Sequence, residues 1–173
     1  HHLHLRRQRR ATGLRSRMMR QRTLIWGGSA ALALLAAGGL AAWILMSGGN
    51  QANPNNAAQV ALGKALYAQH CASCHGVKLE GQPEWRERKP DGKMPAPPHD
   101  ATGHTWHHPD DVLFGITKQG ITAYAPPGYE SDMPAFGGVL TDQQIWALLA
   151  YLKSTWPLEI QARQSILKQQ EKK

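Results

Sequence analysis

The chain has 173 residues and a formal net charge of +8 at pH 7, a size that accommodates one modest domain with additional segments. The excess charge is confined to residues 1–23, which contain eight arginines and no acidic residue, whereas basic and acidic side chains balance from Ser47 onward. A nucleic-acid-binding domain carries its positive charge on the folded part of the chain, so this distribution excludes nucleic acid as a partner.

Residues 24–46 form an apolar run without a charged residue. About 20 apolar residues with a rise of ~1.5 Å each cross the ~30 Å hydrocarbon layer, so we expect a transmembrane anchor here. A cleaved signal peptide has a shorter apolar core and a small-residue cleavage site, whereas this run ends in bulky side chains at 43–46. The positive-inside rule places the basic segment 1–23 in the cytoplasm and the chain from Ser47 onward outside.

Two features flank the anchor. Met18 is an alternative start for the chain, and it would leave Arg20 and Arg22 as a compact basic flank. Residues 47–57 are rich in Gly, Asn and Pro and predict a flexible linker with a root-mean-square span of roughly 18 Å. The domain that follows, residues 58–156, is therefore expected to stay close to the bilayer.

Helical signals dominate that domain. A first helix is predicted from Ala57 to His70, because Asn56 is a good N-cap. A second is predicted from Pro109 to Gln119, because Pro109 suits a first helical position and Gly120 suits a helix end. Residues 77–105 and 121–140 are predicted to be loops, since they are rich in residues that break regular structure.

The third helix is the best marked. Thr141 and Gln144 form a capping box, and a set of apolar residues follows at i, i+3, i+4 and i+7: Ile145, Leu148, Leu149 and Leu152. Pro157 is expected to end this helix. The tail 157–173 is polar with mild helical character and is predicted to be a solvated, frayed helix with a Glu159–Arg163 pair. The predicted fold class is all-α.

Cys71-Ala72-Ser73-Cys74-His75 is the C-x-x-C-H pattern of covalent haem attachment. Two thiols about one helical turn apart can each add to one haem vinyl group, and the adjacent histidine then supplies an axial nitrogen to the iron. Three alternatives exist: a thioredoxin-like redox pair, half of a zinc site completed by histidines at 99–108, and a structural disulfide. The chain has no surrounding βαβ pattern and no second cysteine pair, which favours haem.

With these motifs the sequence resembles the class I monohaem cytochromes c, in the membrane-anchored form found in proteobacteria. The resemblance covers roughly residues 57–156 and rests on GKALYAQHCASCHG at 63–76 and SDMPAFGGVLTDQQIWALLAYLKS at 131–154. It implies three main helices around one covalent haem c, with the first and last helices crossing. Gly63 is expected to allow this close crossing and to face the side of Leu149 and Leu152.

The resemblance also implies that Met133 is the sixth ligand of the iron, opposite His75, because the family's ligand methionine shortly precedes the last helix. Met94 lies in the same Met-Pro-Ala context but before the second helix, where the family has a loop over the proximal edge of the haem. The other candidates are histidines, at positions 99, 104, 107 and 108.

The segment 103–111 departs from minimal members of the family, because three histidines and Trp106 lie together. Haem-propionate contacts and helix capping are one interpretation, and a surface copper or zinc site is another. Pro97 and Pro98 are the candidates for a backbone carbonyl that accepts a hydrogen bond from His75 Nδ1, an interaction that orients an iron-bound imidazole.

Two protein ligands fill both axial positions of the iron and leave no position for a substrate. The expected function is therefore outer-sphere electron transfer rather than catalysis. The resemblance implies a periplasmic haem domain on a bacterial inner membrane, carrying electrons between a quinol-oxidising complex and a terminal oxidase. One rival is a fixed cytochrome subunit of a larger membrane oxidoreductase complex. Another is a haem sensor or peroxidase-like enzyme with a labile sixth site, which would bind carbon monoxide.

Overall fold

The computed structural model describes residues 49–170, and in this range it contains helices and irregular segments but no β-strand. We label the α-helices in chain order: α1 Ala57–His70, α2 Ala72–His75, α3 Asp110–Gln119, α4 Asp142–Ser154 and α5 Leu158–Gln170. Two single-turn 3-10 helices lie at Thr105–His107 and Ile121–Ala123. The all-α prediction is confirmed, and α1, α3 and α4 are the three helices expected from the sequence.

Helix α1 begins as predicted, because the Asn56 side chain accepts a hydrogen bond from the Gln59 N–H at 3.0 Å. The segment before it is less free than the flexible linker expected at 47–57. Ala52 is buried, and the Gln59 side chain bonds to the backbone of Gln51 and Asn53. The last residues of the predicted linker therefore already belong to the folded domain.

Helices α1 and α4 cross at Gly63, as expected, but on a different face of α4. A Cβ added at Gly63 would overlap the carbonyl oxygen of Ala147 and lie 2.8 Å from Tyr151 Cβ. The prediction that Gly63 faces Leu149 and Leu152 is therefore wrong. Those leucines are buried in the core on another side of α4.

Helix α4 is the centre of the domain. The Thr141 hydroxyl accepts from the Gln144 N–H, and the Gln144 side chain accepts from the Thr141 N–H, so the predicted capping box is formed. Every residue from Ile145 to Ala150 is buried. A helix that is covered on all sides loses the one-sided pattern from which its contact face would be predicted.

Helix α3 begins one residue later than predicted, with Pro109 as its N-cap. Asp110, in its first turn, pairs with Lys153 of α4 through contacts of 2.8 and 2.7 Å to the two carboxylate oxygens. Both side chains are largely buried, with 4% and 12% of their surface exposed. This buried ion pair joins α3 to α4.

The C-terminal segment differs from the solvated tail predicted for 157–173. It forms α5, and its Gln164 is buried against the domain. The Gln164 side chain donates to Asp110 Oδ1 at 2.7 Å and to the His108 carbonyl at 3.2 Å. The predicted Glu159–Arg163 pair is present at 2.7 Å on the exposed face. Helix α5 is thus a docked element that completes the buried polar cluster around Asp110.

Among residues 49–170, no helix has both the length and the apolar character needed to cross a membrane. The anchor predicted at 24–46 and the basic segment 1–23 lie outside the described residues.

Candidate haem-binding site

The Cys-x-x-Cys-His sequence occupies a tight turn at the end of α1. The Cys71 N–H donates to the Tyr67 carbonyl and closes α1, while the His75 N–H donates to the Cys71 carbonyl and forms the single turn of α2. Both thiols are free, Cys71 half-buried and Cys74 exposed. Burial raises the pKa of the Cys71 thiol to about 11, with a further contribution from Cys74. Two thiols one turn apart, followed by a histidine, form the donor set that covalent haem attachment requires.

His75 is the buried member of this set, with 8% of its surface exposed. Its Nδ1 lies 2.8 Å from the carbonyl oxygen of Pro97. Because a carbonyl only accepts, Nδ1 carries the proton and donates, which leaves Nε2 with a free lone pair. Burial lowers the pKa of His75, and the bond to Pro97 partly opposes this shift. The imidazole is therefore held neutral and oriented, which is the form that binds a metal.

The bond also decides between the two prolines left open by the sequence. Of the two candidates, Pro97 is the acceptor and Pro98 does not have this role. The Pro98 carbonyl faces Gly103, where an added Cβ would overlap it. Consecutive carbonyls of an extended chain point in opposite directions, so only one of the two prolines can face His75.

His99 lies directly against His75. The two rings are stacked with centroids 4.0 Å apart and planes inclined by 26°. His99 Nδ1 is 2.8 Å from the Thr105 hydroxyl, and its carbonyl accepts from the indole of Trp156 at 2.8 Å. His99 therefore lies on the same side of the site as His75.

Tyr67 supports the same turn and was missed by the sequence analysis as a contributor to the site. Its hydroxyl donates to the Gly76 carbonyl at 2.7 Å, and its ring packs edge-on against His99 and at a tilt against Tyr151. Burial raises its pKa above the usual range, so the hydroxyl remains a donor. The only available signal was its place on the buried face of α1, which also fits an ordinary core residue.

Met133 and Met94 occupy different surroundings although both stand in Met-Pro-Ala. Met133 is half-buried and packs against the hydrophobic core. Met94 lies three residues before Pro97, in a segment fixed by paired bonds of 2.9 Å between Gln82 and Ala96. Pro97, three residues after Met94, contacts His75, whereas Lys93, directly before Met94, bonds to Asp132 beside Met133.

The aromatic and histidine-rich loop forms stacked pairs. Trp106 stacks on His107, and its indole N–H, the sole donor of that side chain, bonds to the Ala101 carbonyl at 3.3 Å. His104 stacks on Trp85 and meets His108 edge-on. Burial, followed by neighbouring histidines, lowers the pKa of His104 and His108.

This arrangement bears on the two roles expected for the loop. Within residues 49–170, no three metal-ligating side chains of His, Cys, Asp or Glu converge, which gives no support to a copper or zinc site. The indole N–H of Trp106 bonds to the Ala101 carbonyl. A contact between Trp106 and a haem propionate stays a prediction.

A family model described as cytochrome c matches residues 60–156, which is more than half of the chain. The match begins inside α1, ends just after α4 and contains both cysteines, His75 and Met133. Searches of curated proteins and of solved structures found no match. The chain therefore belongs to the cytochrome c family, whose members bind haem c covalently and use it for electron transfer.

Proposed function

We propose that Cys71 and Cys74 hold the haem through thioether bonds and that His75 Nε2 is its first axial ligand. The observation that carries this assignment is the 2.8 Å bond between His75 Nδ1 and the Pro97 carbonyl. It fixes the tautomer that leaves Nε2 free and orients the imidazole ring. The free thiols beside it are the nucleophiles that the attachment needs.

Met133 is proposed as the second axial ligand. It lies in an irregular segment shortly before α4, is half-buried and packs against the core, as a ligand shielded from water must. The bound haem supplies a one-electron ferrous–ferric couple. A neutral thioether from Met133 favours the ferrous state relative to a second imidazole, and two protein ligands leave no open position for substrate. The function is therefore electron transfer without catalysis.

Replacement of each methionine tests this ligand assignment in the full-length holoprotein. Met133→His is expected to remove the weak near-infrared sulfur-to-iron band of the ferric protein and to lower its reduction potential substantially, with the haem still attached. Met94→Leu is the matched control, since Met94 stands in the other Met-Pro-Ala tripeptide, and both properties should stay unchanged. Loss of the band in Met94→Leu, with retention in Met133→Leu, would assign the ligand to the other loop.

The thioether assignment has its own measurement. After denaturing electrophoresis, haem staining should coincide with the polypeptide, because the two thioether bonds survive unfolding. Cys71→Ala and Cys74→Ala are each expected to reduce the amount of holoprotein sharply. Extraction of the haem from the denatured wild-type chain by acidic organic solvent would contradict covalent attachment.

The finer setting is also a proposal: a haem domain tethered to a bacterial inner membrane through residues 24–46, facing the periplasm. The charge-free run at 24–46 and the eight arginines before it support this topology. The resemblance to membrane-anchored cytochromes supports a respiratory role between a quinol-oxidising complex and a terminal oxidase.

Topology is tested with reporters fused after Lys173. A reporter that is active only in the periplasm should work at this position, and one that is active only in the cytoplasm should not. The reverse result would refute the periplasmic placement while leaving the haem assignment intact.

A further inference from the structure

A short folded turn at 88–93, here called the clamp turn, lies outside the helices. The Gly92 N–H donates to the Lys89 carbonyl and the Lys89 N–H to the Lys93 carbonyl, both at 2.9 Å. Gly92 has a φ of 84°, a conformation that glycine adopts without steric cost. Arg88 donates to the Gly92 carbonyl at 2.7 Å, and the Asp91 carboxylate accepts from the Lys93 N–H. These bonds fix the backbone from which both lysines extend.

The two lysines of the clamp turn converge on one carboxylate, that of Asp132. Lys89 Nζ lies 3.0 Å from one Asp132 oxygen, and Lys93 Nζ binds the other. The guanidinium of Arg88 lies 5.7 Å from the ring centroid of Tyr129, a cation–π contact on the same segment. The clamp turn therefore contacts the chain at two places within the four residues before Met133.

The other side of Met133 is anchored to α3. The Phe136 N–H donates to the Thr117 carbonyl at 3.0 Å, and the Gly137 N–H donates to the Lys118 carbonyl at 2.9 Å. Met133 itself donates its N–H to the Ser131 hydroxyl at 3.1 Å. The methionine thus sits on a short irregular stretch with a backbone anchor after it and an ionic anchor before it.

We propose that Asp132, held by Lys89 and Lys93, is a positioning residue that keeps the Met133 thioether on the iron. This inference rests on the proposed function, in which Met133 is the sixth ligand. Between 30% and 57% of the surface of each of the three charged side chains is exposed to solvent, so dissolved salt screens their attraction. Dissociation of Met133 should therefore become easier as ionic strength rises.

Carbon monoxide binding to the reduced full-length holoprotein measures this dissociation, because the gas reaches the iron only when Met133 leaves. Wild-type protein should bind slowly at low salt and roughly threefold faster at high salt. Asp132→Asn should bind at the faster rate already at low salt and respond little to added salt. Lys89→Gln/Lys93→Gln removes the two cations that bind Asp132 and should show the same fast, salt-independent binding.

Two further variants separate positioning from a general effect of charge. Glu159→Gln removes one negative charge from an exposed ion pair on α5 and should leave both the rate and its salt dependence unchanged. Asp132→Lys combined with Lys89→Glu and Lys93→Glu reverses the ion pairs, with Asp91→Asn added because Asp91 lies 3.6 Å from Lys89 Nζ, and this variant should restore slow binding at low salt.

Two outcomes overturn the proposal, and they are distinguishable. If Asp132→Asn and the double lysine variant keep the wild-type rate and salt response, the clamp does not position Met133. Met133→Ala should bind carbon monoxide far faster than any clamp variant. If it does not, Met133 is not the sixth ligand, and the proposed function fails together with the inference built on it.

Discussion

Asp110 and Lys153 pair in the interior of the helical frame, whereas Asp132 pairs with Lys89 and Lys93 at the surface of the loops. In the first pair at most 12% of either side chain is exposed, and in the second group at least 30% of each is. A buried pair is hardly screened by salt and is costly to break, while an exposed pair contributes little and is adjustable. The ion pair that joins α3 to α4 should therefore respond little to salt, whereas the ion pairs beside Met133 should weaken as the salt concentration rises.

The frame should be most sensitive at the crossing of α1 and α4. Gly63→Ala would gain ~1 kcal/mol from helix propensity alone, but its Cβ would overlap the Ala147 carbonyl. Because backbone atoms cannot move aside without opening the crossing, we expect a net loss of ~4 kcal/mol in the free energy of unfolding, measured by urea denaturation. Gly138→Ala, at a loop position with no heavy atom within 4 Å, is the control and should be nearly neutral. Equal stability of the two variants would refute a tight crossing.

The next largest effect is expected from the buried pair. Lys153→Met leaves the Asp110 carboxylate buried without its cation, and the free energy of unfolding should fall by ~3 kcal/mol. Asp110→Asn/Lys153→Met leaves no unpaired charge and should recover part of this loss. On the exposed face of α5, Glu159→Gln should cost only ~0.3 kcal/mol. If Lys153→Met were equally mild, the contrast between buried and exposed pairs would not hold.

The smallest effect concerns pH and the histidine loop. His104 and His108 have a folded-state pKa below the ordinary 6.5, mainly because of burial. Below pH 6.5 the unfolded chain binds protons that the folded chain does not, so the free energy of unfolding should fall as the pH decreases. Urea midpoints at pH 7.5, 6.5 and 5.5 measure this slope. His104→Gln/His108→Gln should make it shallower, with the remainder due to His99, whose pKa burial lowers further, and an unchanged slope would exclude these two histidines as a source.

Local signals in the sequence predicted local structure well. Asn56 and the Thr141–Gln144 pair act on backbone groups within one helical turn, so their effect does not depend on the rest of the fold. The haem-attachment motif is local for the same reason, since its chemistry needs only one turn of helix.

Contacts between distant segments were predicted less well. The partner of Gly63 was misassigned because α4 is buried on all sides and offers no single apolar face. The docking of α5 was missed because its anchor is polar: Gln164 bonds to Asp110, and a search for apolar periodicity does not detect such a contact. The stacking of His99 on His75 depends on how the loop folds back, which no spacing in the sequence encodes.

The crossing at Gly63 has a consequence for the order in which the molecule is made. The two helices that cross there, α1 and α4, lie near opposite ends of the domain sequence. A chain synthesised from its N-terminus therefore contains Cys71 and Cys74 long before it contains Ala147, which packs against α1. Contacts of such high sequence separation form late and slowly. We therefore expect the two thiols to stay accessible to haem until α4 has been synthesised and packs against α1.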